Sequence, residues 1–578
     1  MPRVGIEAEK PGLSPYEPPP LVWGGDPSLH QPALRWDFGD VHESGRRRKI
    51  NLVGTAIPAR GRLKSARTPT SLHGFNCNKM MSGGATDVMR FCCAALLAFE
   101  LFLPAAEAQA EAVNTRILNR AAKLLADESR WNRADTRECP PDARKISLYC
   151  ALRQATEEVM GESAHRTTAM EEVRLVIEEK AGDKYDHRLM GYNNDPTTTL
   201  ADIQAVLQTA AERLDRRLAA ISPRTFDRMV LLEEKGETSA SVSIGDLNSD
   251  GYLDLVLGKG RHWPLVSRVL LNDGKGHFTA HDLGGTPNRT YSAALADVNH
   301  DGYLDVVISN DQPDRKLIYL NDGKGDFHVS GTFGDPKWPT RYLTLADLNG
   351  DGYPDIIVAN RGDPPKHPES SFICLNDGKG QFPSCTPLAG TESATIIVAA
   401  DFDGDGAIDL FVPHRDGGQS VIFWNDGKGH FPAKTPVGPP NSSARAAAAG
   451  DLNGDGRPDL VVGDERQGLF VYLNRGKRQF SDPIMLAGKQ RVPYSVAIAD
   501  LNRDGKPDIV VGNVEAPGSV LFNDGTGTNF LEVPWGDGKG AVYGVAIGDL
   551  DGDGWPDIAA ARSDAPNAVW FSTKPAAK

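Results

Sequence analysis

The chain has 578 residues, of which 40% are hydrophobic and 24% charged, and carries a formal net charge of −14 at pH 7. That length holds several average domains, or one large repeat domain with a smaller companion, and the composition is that of a soluble globular protein. The acidic balance excludes a nucleic-acid binder, which needs a basic face to displace counterions.

At the N-terminal end, Met89-Arg90 precedes an apolar run from Phe91 to Leu103, broken by Glu100, and then the small-x-small triplet Ala106-Glu107-Ala108. Residues 89–108 therefore read as a secretory signal peptide. The run is too short for a membrane span, and no transmembrane span is expected in the mature chain. Cys92 and Cys93 lie early in the run, which disfavours a lipid-modified cysteine. Residues 1–88, with Pro18-Pro19-Pro20 and Arg46-Arg47-Arg48, show no periodicity and read as a disordered extension or a start called upstream of Met81 or Met89. They carry +4 and the signal segment −1, so the chain from residue 109 carries −17.

Four cysteines remain beyond that segment: Cys139, Cys150, Cys374 and Cys385. They form two close pairs, and an even count in an oxidising compartment predicts two disulfides. Metal binding is the alternative, but no CxxC spacing supports it. A secreted or periplasmic location follows.

Residues 109–222 have helical periodicity and predict a small all-α domain. Ile117, Leu118, Ala121, Leu124 and Leu125 make one stripe; Ile146, Tyr149, Leu152, Ala155 and Val159 a second; Val173, Val176 and Ile177 a third. Thr199 and Asp202 form a capping box ahead of Ile203, Val206, Leu207, Ala210, Leu214, Leu218 and Ile221. The polar run from Tyr192 to Asp195 is either a site or the turn that caps this helix. With Trp131-Asn132, the cysteines and Asn194-Asp195-Pro196, the segment resembles a small helical family of unknown function, which implies no activity.

From residue 223 to 578 one pattern dominates. D-x-[DN]-x-D-G-x-x-D occurs seven times, starting at Asp246, Asp297, Asp347, Asp401, Asp451, Asp500 and Asp549, at spacings of 49 to 54 residues. Each copy lies between two short apolar runs, and an LNDGKGxF element trails by a further stretch, as at 271–278, 320–327 and 375–382. Asp-Gly between apolar runs signals a hairpin. The unit reads strand, acidic loop, strand, variable loop, strand, Asn-Asp-Gly turn, strand, which matches propeller blades, with a straight solenoid as the rival. The last repeat lacks its fourth strand, and an orphan segment, 224–232, precedes the first motif with Phe226 in the place of Phe278. The orphan can complete the last blade and close the ring, hiding both edges. The expected fold is mainly β, a seven-bladed propeller preceded by a small all-α domain.

These residues resemble the FG-GAP or VCBS repeats of exported bacterial proteins, and through them the seven-bladed head of integrin α chains. The match covers roughly 224–573. It departs from the integrin pattern in placing the acidic loop in all seven repeats.

Oxygen ligands in a tight loop suit Ca²⁺, a hard cation that takes six to eight of them, and suit Mg²⁺ less well. The side chains at positions one, three, five and nine and the carbonyl at position seven are the candidate ligands. In the first copy these are Asp246, Asn248, Asp250, Tyr252 and Asp254; in the second Asp297, Asn299, Asp301, Tyr303 and Asp305; in the third Asp347, Asn349, Asp351, Tyr353 and Asp355. The fourth copy supplies Asp401, Asp403, Asp405, Ala407 and Asp409; the fifth Asp451, Asn453, Asp455, Arg457 and Asp459. The sixth supplies Asp500, Asn502, Asp504, Lys506 and Asp508; the seventh Asp549, Asp551, Asp553, Trp555 and Asp557. The last of each set is expected to bind in bidentate fashion. The plainer alternative is that Asx residues only make turns. Repulsion among converging acids in seven copies opposes it. Up to seven Ca²⁺ would offset most of the −17, in a structural role, since no open coordination position or adjacent base is evident.

The acidic loops and Asn-Asp-Gly turns fall on one face, and the variable loops on the other. Those loops hold Arg261, His262 and Trp263; Asp311, Asp314 and Arg315; Arg361 and Asp363; His414 and Arg415; Asp464 and Arg466. Six positions before each motif aspartate stand Ala240, Tyr291, Arg341, Thr395, Arg445, Tyr494 and Tyr543. A rim of Tyr and Arg is the composition of a binding surface, although packing between blades also explains it. Arg361-Gly362-Asp363 spells an adhesion tripeptide within an ordinary loop, and His277 and His430 lie in hairpin turns.

Two functions follow. The first is an exported, Ca²⁺-stabilised module that binds an extracellular protein or glycan through its variable-loop face. The second is a carbohydrate-active enzyme, a polysaccharide lyase or hydrolase, which would need a clustered acid, base or charge-neutralising group on one face. His414, Arg415 and Arg445 come nearest, with no nucleophile motif beside them.

Overall fold

The computed structural model describes residues 113–362 and 369–575. The expected signal segment, the stretch before it and Asp363 lie outside the described residues.

Five α-helices come first among the described residues: α1 (Val113–Leu124), α2 (Leu148–Met160), α3 (Thr168–Ala181), α4 (Arg188–Asn194) and α5 (Leu200–Ala219). The apolar stripes face inward, with Ile117, Leu152, Val173 and Ile203 all fully buried. The capping box at the start of α5 is present, Thr199 and Asp202 each bonding the other's backbone N–H. The polar run before α5 is structural. Buried Asn193 accepts hydrogen bonds from Trp131 Nε1 at 2.8 Å and from Leu148 N at 3.0 Å. Asp195 accepts from Tyr185 Oη at 2.6 Å and Thr197 N at 2.8 Å. The Cys139–Cys150 disulfide ties the preceding loop onto α2.

Seven four-stranded antiparallel sheets follow. Blade 1 comprises Ser239–Gly245, Asp254–Lys259, Arg268–Asn272 and Phe278–Asp282. Blades 2 to 6 span 290–333, 340–388, 398–436, 444–487 and 493–535. Blade 7 takes Ala541–Gly548, Asp557–Ser563 and Ala568–Thr573 from the end of the chain, and its outer strand, Thr225–Leu231, from before blade 1. That strand pairs antiparallel with Ala568–Thr573, Val230 opposite Val569. The ring is thus closed by a strand from the start of the repeat region, which covers the edge that Ala568–Thr573 would otherwise expose. Phe226, 3% exposed, enters the same core as Trp535 and Trp570. The Cys374–Cys385 disulfide joins the two outer strands of blade 3.

Second strands such as Asp254–Lys259 are buried at every position, because neighbouring blades cover both faces. This is why they read as unbroken apolar runs rather than as alternating ones.

The asparagine of each turn, Asn-Asp-Gly in five blades and Asn474-Arg475-Gly476 in blade 5, does more than turn the chain. Asn425 Nδ2 donates to Ile408 O of its own blade at 2.9 Å and to Leu348 O of blade 3 at 2.8 Å. Asn272, Asn321, Asn376, Asn474 and Asn523 repeat both bonds, so six amides staple neighbouring blades at one level. In blade 7 Ser572 stands at this position. The Asn425→Ala variant leaves two buried carbonyls without donors, and is expected to lose about 2–3 kcal/mol in urea unfolding. Asp426→Ala, in the exposed part of the same turn, should lose less than about 1 kcal/mol.

The helices dock on blades 5 and 6. Thr167 forms a β-bridge to Met485, and Arg217 Nε donates to Asp524 Oδ2 at 2.9 Å. One buried cluster runs from the helices into Phe402, Trp424, Phe470 and Met485.

Candidate functional site: acidic loops and the channel mouth

Each acidic loop is a nest of side-chain oxygens turned inward by backbone donors. In the first, Asp246 Oδ1 accepts Asp250 N at 3.2 Å and Oδ2 accepts Gly251 N at 3.0 Å. Asn248 Oδ1 also accepts Asp250 N, and Asp250 Oδ1 accepts Tyr252 N at 2.9 Å. Gly251 has φ 87°, the left-handed backbone that lets the loop fold back without a Cβ clash. Copies two to six use the same bonds, as where Asp500 Oδ2 accepts Gly505 N at 2.8 Å in the sixth, and the seventh keeps all but the one from Asp553 N to position one.

Position nine behaves differently from positions one, three and five. It is the first residue of the second strand and is fully buried in every blade, from Asp254 to Asp557. Asp254 Oδ2 accepts Leu247 N at 2.8 Å, and Oδ1 accepts Asn272 N at 2.8 Å. The carboxylate therefore clasps the loop to the strand that carries the stapling asparagine, and each oxygen keeps one lone pair for another partner. Burial pushes this carboxyl up to about 6 in Asp254, Asp305 and Asp409, with the charges of nearby loop acids adding to the shift. The same causes push Asp459, Asp508 and Asp557 up to about 7, and raise Asp355.

In two loops three carboxylates converge, with one oxygen from each lying within 4.8 Å of the others: Asp401, Asp403 and Asp405, and Asp549, Asp551 and Asp557. Such sets of oxygens could hold a hard divalent cation. Some acids also have a basic neighbour: Arg478 Nε lies 2.7 Å from Asp403, and Arg228 pairs with Asp551.

On the variable-loop face, all seven residues found by counting back from the motif meet around one cavity of about 360 Å³. A shared backbone irregularity puts six of them there. The innermost strand slips register at Ser239/Ser241, Thr290/Ser292, Thr340/Tyr342, Ala444/Ala446, Pro493/Ser495 and Val542/Gly544. The extra residue at each slip is Ala240, Tyr291, Arg341, Arg445, Tyr494 or Tyr543. A bulge leaves one residue out of the ladder and re-aims its side chain.

Arginines stack on tyrosines around the cavity. The Arg341 guanidinium lies 4.4 Å from the Tyr291 ring centre, and Arg261 lies 5.6 Å from Tyr291 and 3.7 Å from Tyr543. Arg445 lies 3.5 Å from Tyr494 and 5.2 Å from Tyr543. Cation–π stacking of this kind holds the guanidinium planes in place.

Carboxylates fix most of the arginines, but among the described residues none of them lines the cavity. Asp311 holds Arg341 at 2.7 Å, Asp416 holds Arg361 at 3.0 Å, and Glu465 holds both oxygens against Arg415 while approaching Arg445 at 3.4 Å. His262 hydrogen-bonds the Tyr291 hydroxyl at 3.0 Å. Its pKa is lowered by burial, with Arg261 and Arg341 adding to the effect, so the imidazole is held neutral.

Sequence reasoning missed Asp416 and Glu465, which sit in irregular loops with no periodic signal. Other loop residues it named serve elsewhere. Asp314 pairs with Arg289, Asp464 accepts Ser443 N at 2.6 Å, and the His414 ring turns to Arg415 O. His277 and His430 are exposed beside Asp273 and Asp426.

Seven radial sheets with a repeated acidic loop define a β-propeller built from tandem repeats. The chain belongs to the FG-GAP-like repeat family, whose model matches residues 246–308, 304–358, 347–412, 401–462, 451–511 and 500–560. A second model, a family of unknown function (DUF6197), matches residues 111–213. No curated protein matches the chain. Among solved structures, BBS1N in complex with ARL6DN is similar at 12% identity and a TM-score of 0.43, over 61% of this chain and 98% of that one. The BP39L lectin from Burkholderia pseudomallei is similar at 13% identity and a TM-score of 0.46, over 59% of this chain and 99% of that one.

Proposed function

We propose that the chain is an exported interaction module, stabilised by a Ca²⁺ in each of its seven acidic loops, that engages an extracellular protein or glycan through its variable-loop face. The observation that carries the calcium reading is the buried position-nine aspartate. Seven carboxyls are held at zero exposure, each beside two or three more loop acids or amides, and their pKa values are driven up by that burial and repulsion. A divalent ion removes both costs at once. The loop supplies the several oxygens that Ca²⁺ prefers, without the strict octahedron Mg²⁺ demands.

Two disulfides support a location outside the reducing cytoplasm. No helix among the described residues is long and apolar enough to cross a membrane. Isothermal titration of the full chain with CaCl₂ tests the metal reading. Uptake of several ions per chain, up to one per acidic loop, is expected, and no measurable uptake would defeat it.

The hydrogen-bonded His262–Tyr291 pair, neutral and facing an arginine-lined cavity, favours a second reading as a carbohydrate-active enzyme. Incubation with polysaccharides separates the two. New reducing ends, lost in His262→Ala, would replace the binding module with a lyase or hydrolase.

A further inference from the structure

The channel mouth has a charge pattern that says what it can hold. Five guanidinium groups (Arg261, Arg341, Arg361, Arg415 and Arg445) line it, and among the described residues lining it none is a carboxylate. Among the described residues three acids hold these five arginines, which leaves positive charge over in a partly enclosed space. Arg261 is the clearest case. Among the described residues it pairs with no carboxylate, and its Nε is shut off from solvent without a hydrogen-bond acceptor. A guanidinium in such a position, its plane fixed by Tyr543, presents a fork of donors suited to a planar oxyanion, above all a carboxylate.

A second, independent feature lies one residue beyond the cavity wall. Trp263 follows His262 on the same loop and is 70% exposed, the most exposed of the large apolar side chains among the described residues. An indole in water, next in sequence to a residue that lines the polar cavity, offers an apolar face with a polar edge. The C–H face of a sugar ring is the natural complement. A cavity of about 360 Å³ has room for a ring or two, at the small end of ligand sites.

We infer that the channel mouth is a binding site for an acidic sugar within a polysaccharide, with its carboxylate on Arg261 and the neighbouring Arg341 and Arg445, and an adjoining ring on Trp263. This rests on the reading of the variable-loop face as a binding surface and names its ligand. The rest of the chain is acidic, so the attraction is local to the mouth and should weaken steeply as salt rises.

The test is isothermal titration of the full chain in calcium-containing, low-salt buffer with digalacturonate, neutral galactobiose and succinate. Digalacturonate should bind, and galactobiose should bind at least roughly tenfold more weakly. Arg261→Gln leaves no described carboxylate behind and should weaken digalacturonate by roughly tenfold. Trp263→Ala, at an exposed position, should weaken it several-fold while leaving the parent melting temperature. Absence of digalacturonate binding, equal binding of galactobiose or of succinate, or an unchanged affinity in both variants would overturn the inference. A glycan or protein captured on an array by the parent and equally by Arg261→Gln would keep the interaction module and discard the acidic-sugar site.

Discussion

Chelation with EDTA at about pH 7.5 should lower the melting temperature of the chain by about 10 °C or more, and at about pH 5.5 by much less. At ten times its dissociation constant a bound ion adds only about 1.4 kcal/mol by linkage, but seven sites act on one ring. The pH dependence follows from the position-nine aspartates. Their folded pKa values lie at about 6 to 7, against 3.8 for an ordinary aspartate. A raised folded pKa contributes stability that is complete below about pH 4 and is lost as pH rises through 6 to 7, because the buried group must then ionise. The chelated chain should therefore melt lower at about pH 7.5 than at about pH 5.5. With calcium present the ion takes the proton's place, and the loss on raising pH should disappear. Protons and calcium compete for the same oxygens, so calcium affinity should fall on acidification through the same window. Differential scanning fluorimetry across the four conditions checks this. Equal melting with and without EDTA at about pH 7.5, or a chelated chain that melts higher there than at about pH 5.5, removes the cation from the account.

Most of the architecture was legible because it is periodic. Seven acidic motifs gave the blades, and the orphan segment around Phe226 gave the closure, which pairs Val230 with Val569. Counting back six positions also found the residues of the channel mouth, but not the reason they converge. For six of the seven the reason is a bulge, and a bulge exists only in the register between two strands. The asparagine staples were hidden for a different reason. The hairpin accounts fully for an Asn-Asp-Gly sequence, and the second acceptor of Asn425 lies 77 residues away in another blade. Asp416 and Glu465 had no signal at all, since each blade has its own variable loop. The docking of the helices was equally illegible, because the apolar cluster they share with Phe402, Trp424, Phe470 and Met485 joins residues remote in sequence, and a pair such as Arg217 to Asp524 is one of many possible charge pairs in the sequence.

Paired substitutions in the sixth loop should separate the fold-holding acid from the acids that matter only with an ion. Asp508→Ala should cost about 3–5 kcal/mol in urea unfolding in EDTA, and more in calcium, where a ligand oxygen is lost as well. Its carboxylate accepts Leu501 N and Asn523 N, each at 2.9 Å, in a fully buried position. Removing it orphans two backbone donors at about 1–3 kcal/mol each and leaves a small void. Asn523 also carries the staple to Leu452 O, so the damage reaches blade 5. Asp504 sits at position five, on the exposed side of the loop, and accepts Lys506 N at 3.0 Å. In EDTA, Asp504→Ala should cost less than about 1 kcal/mol, because water replaces the carboxylate as an acceptor. In calcium it should cost more and should remove one ion from the titration, since a ligand oxygen is gone while the fold persists. Two variants with the same cost in EDTA would mean that position nine is not the clasp described here. An Asp504→Ala chain that binds as many ions as the parent would mean that the loop oxygens serve the turn alone.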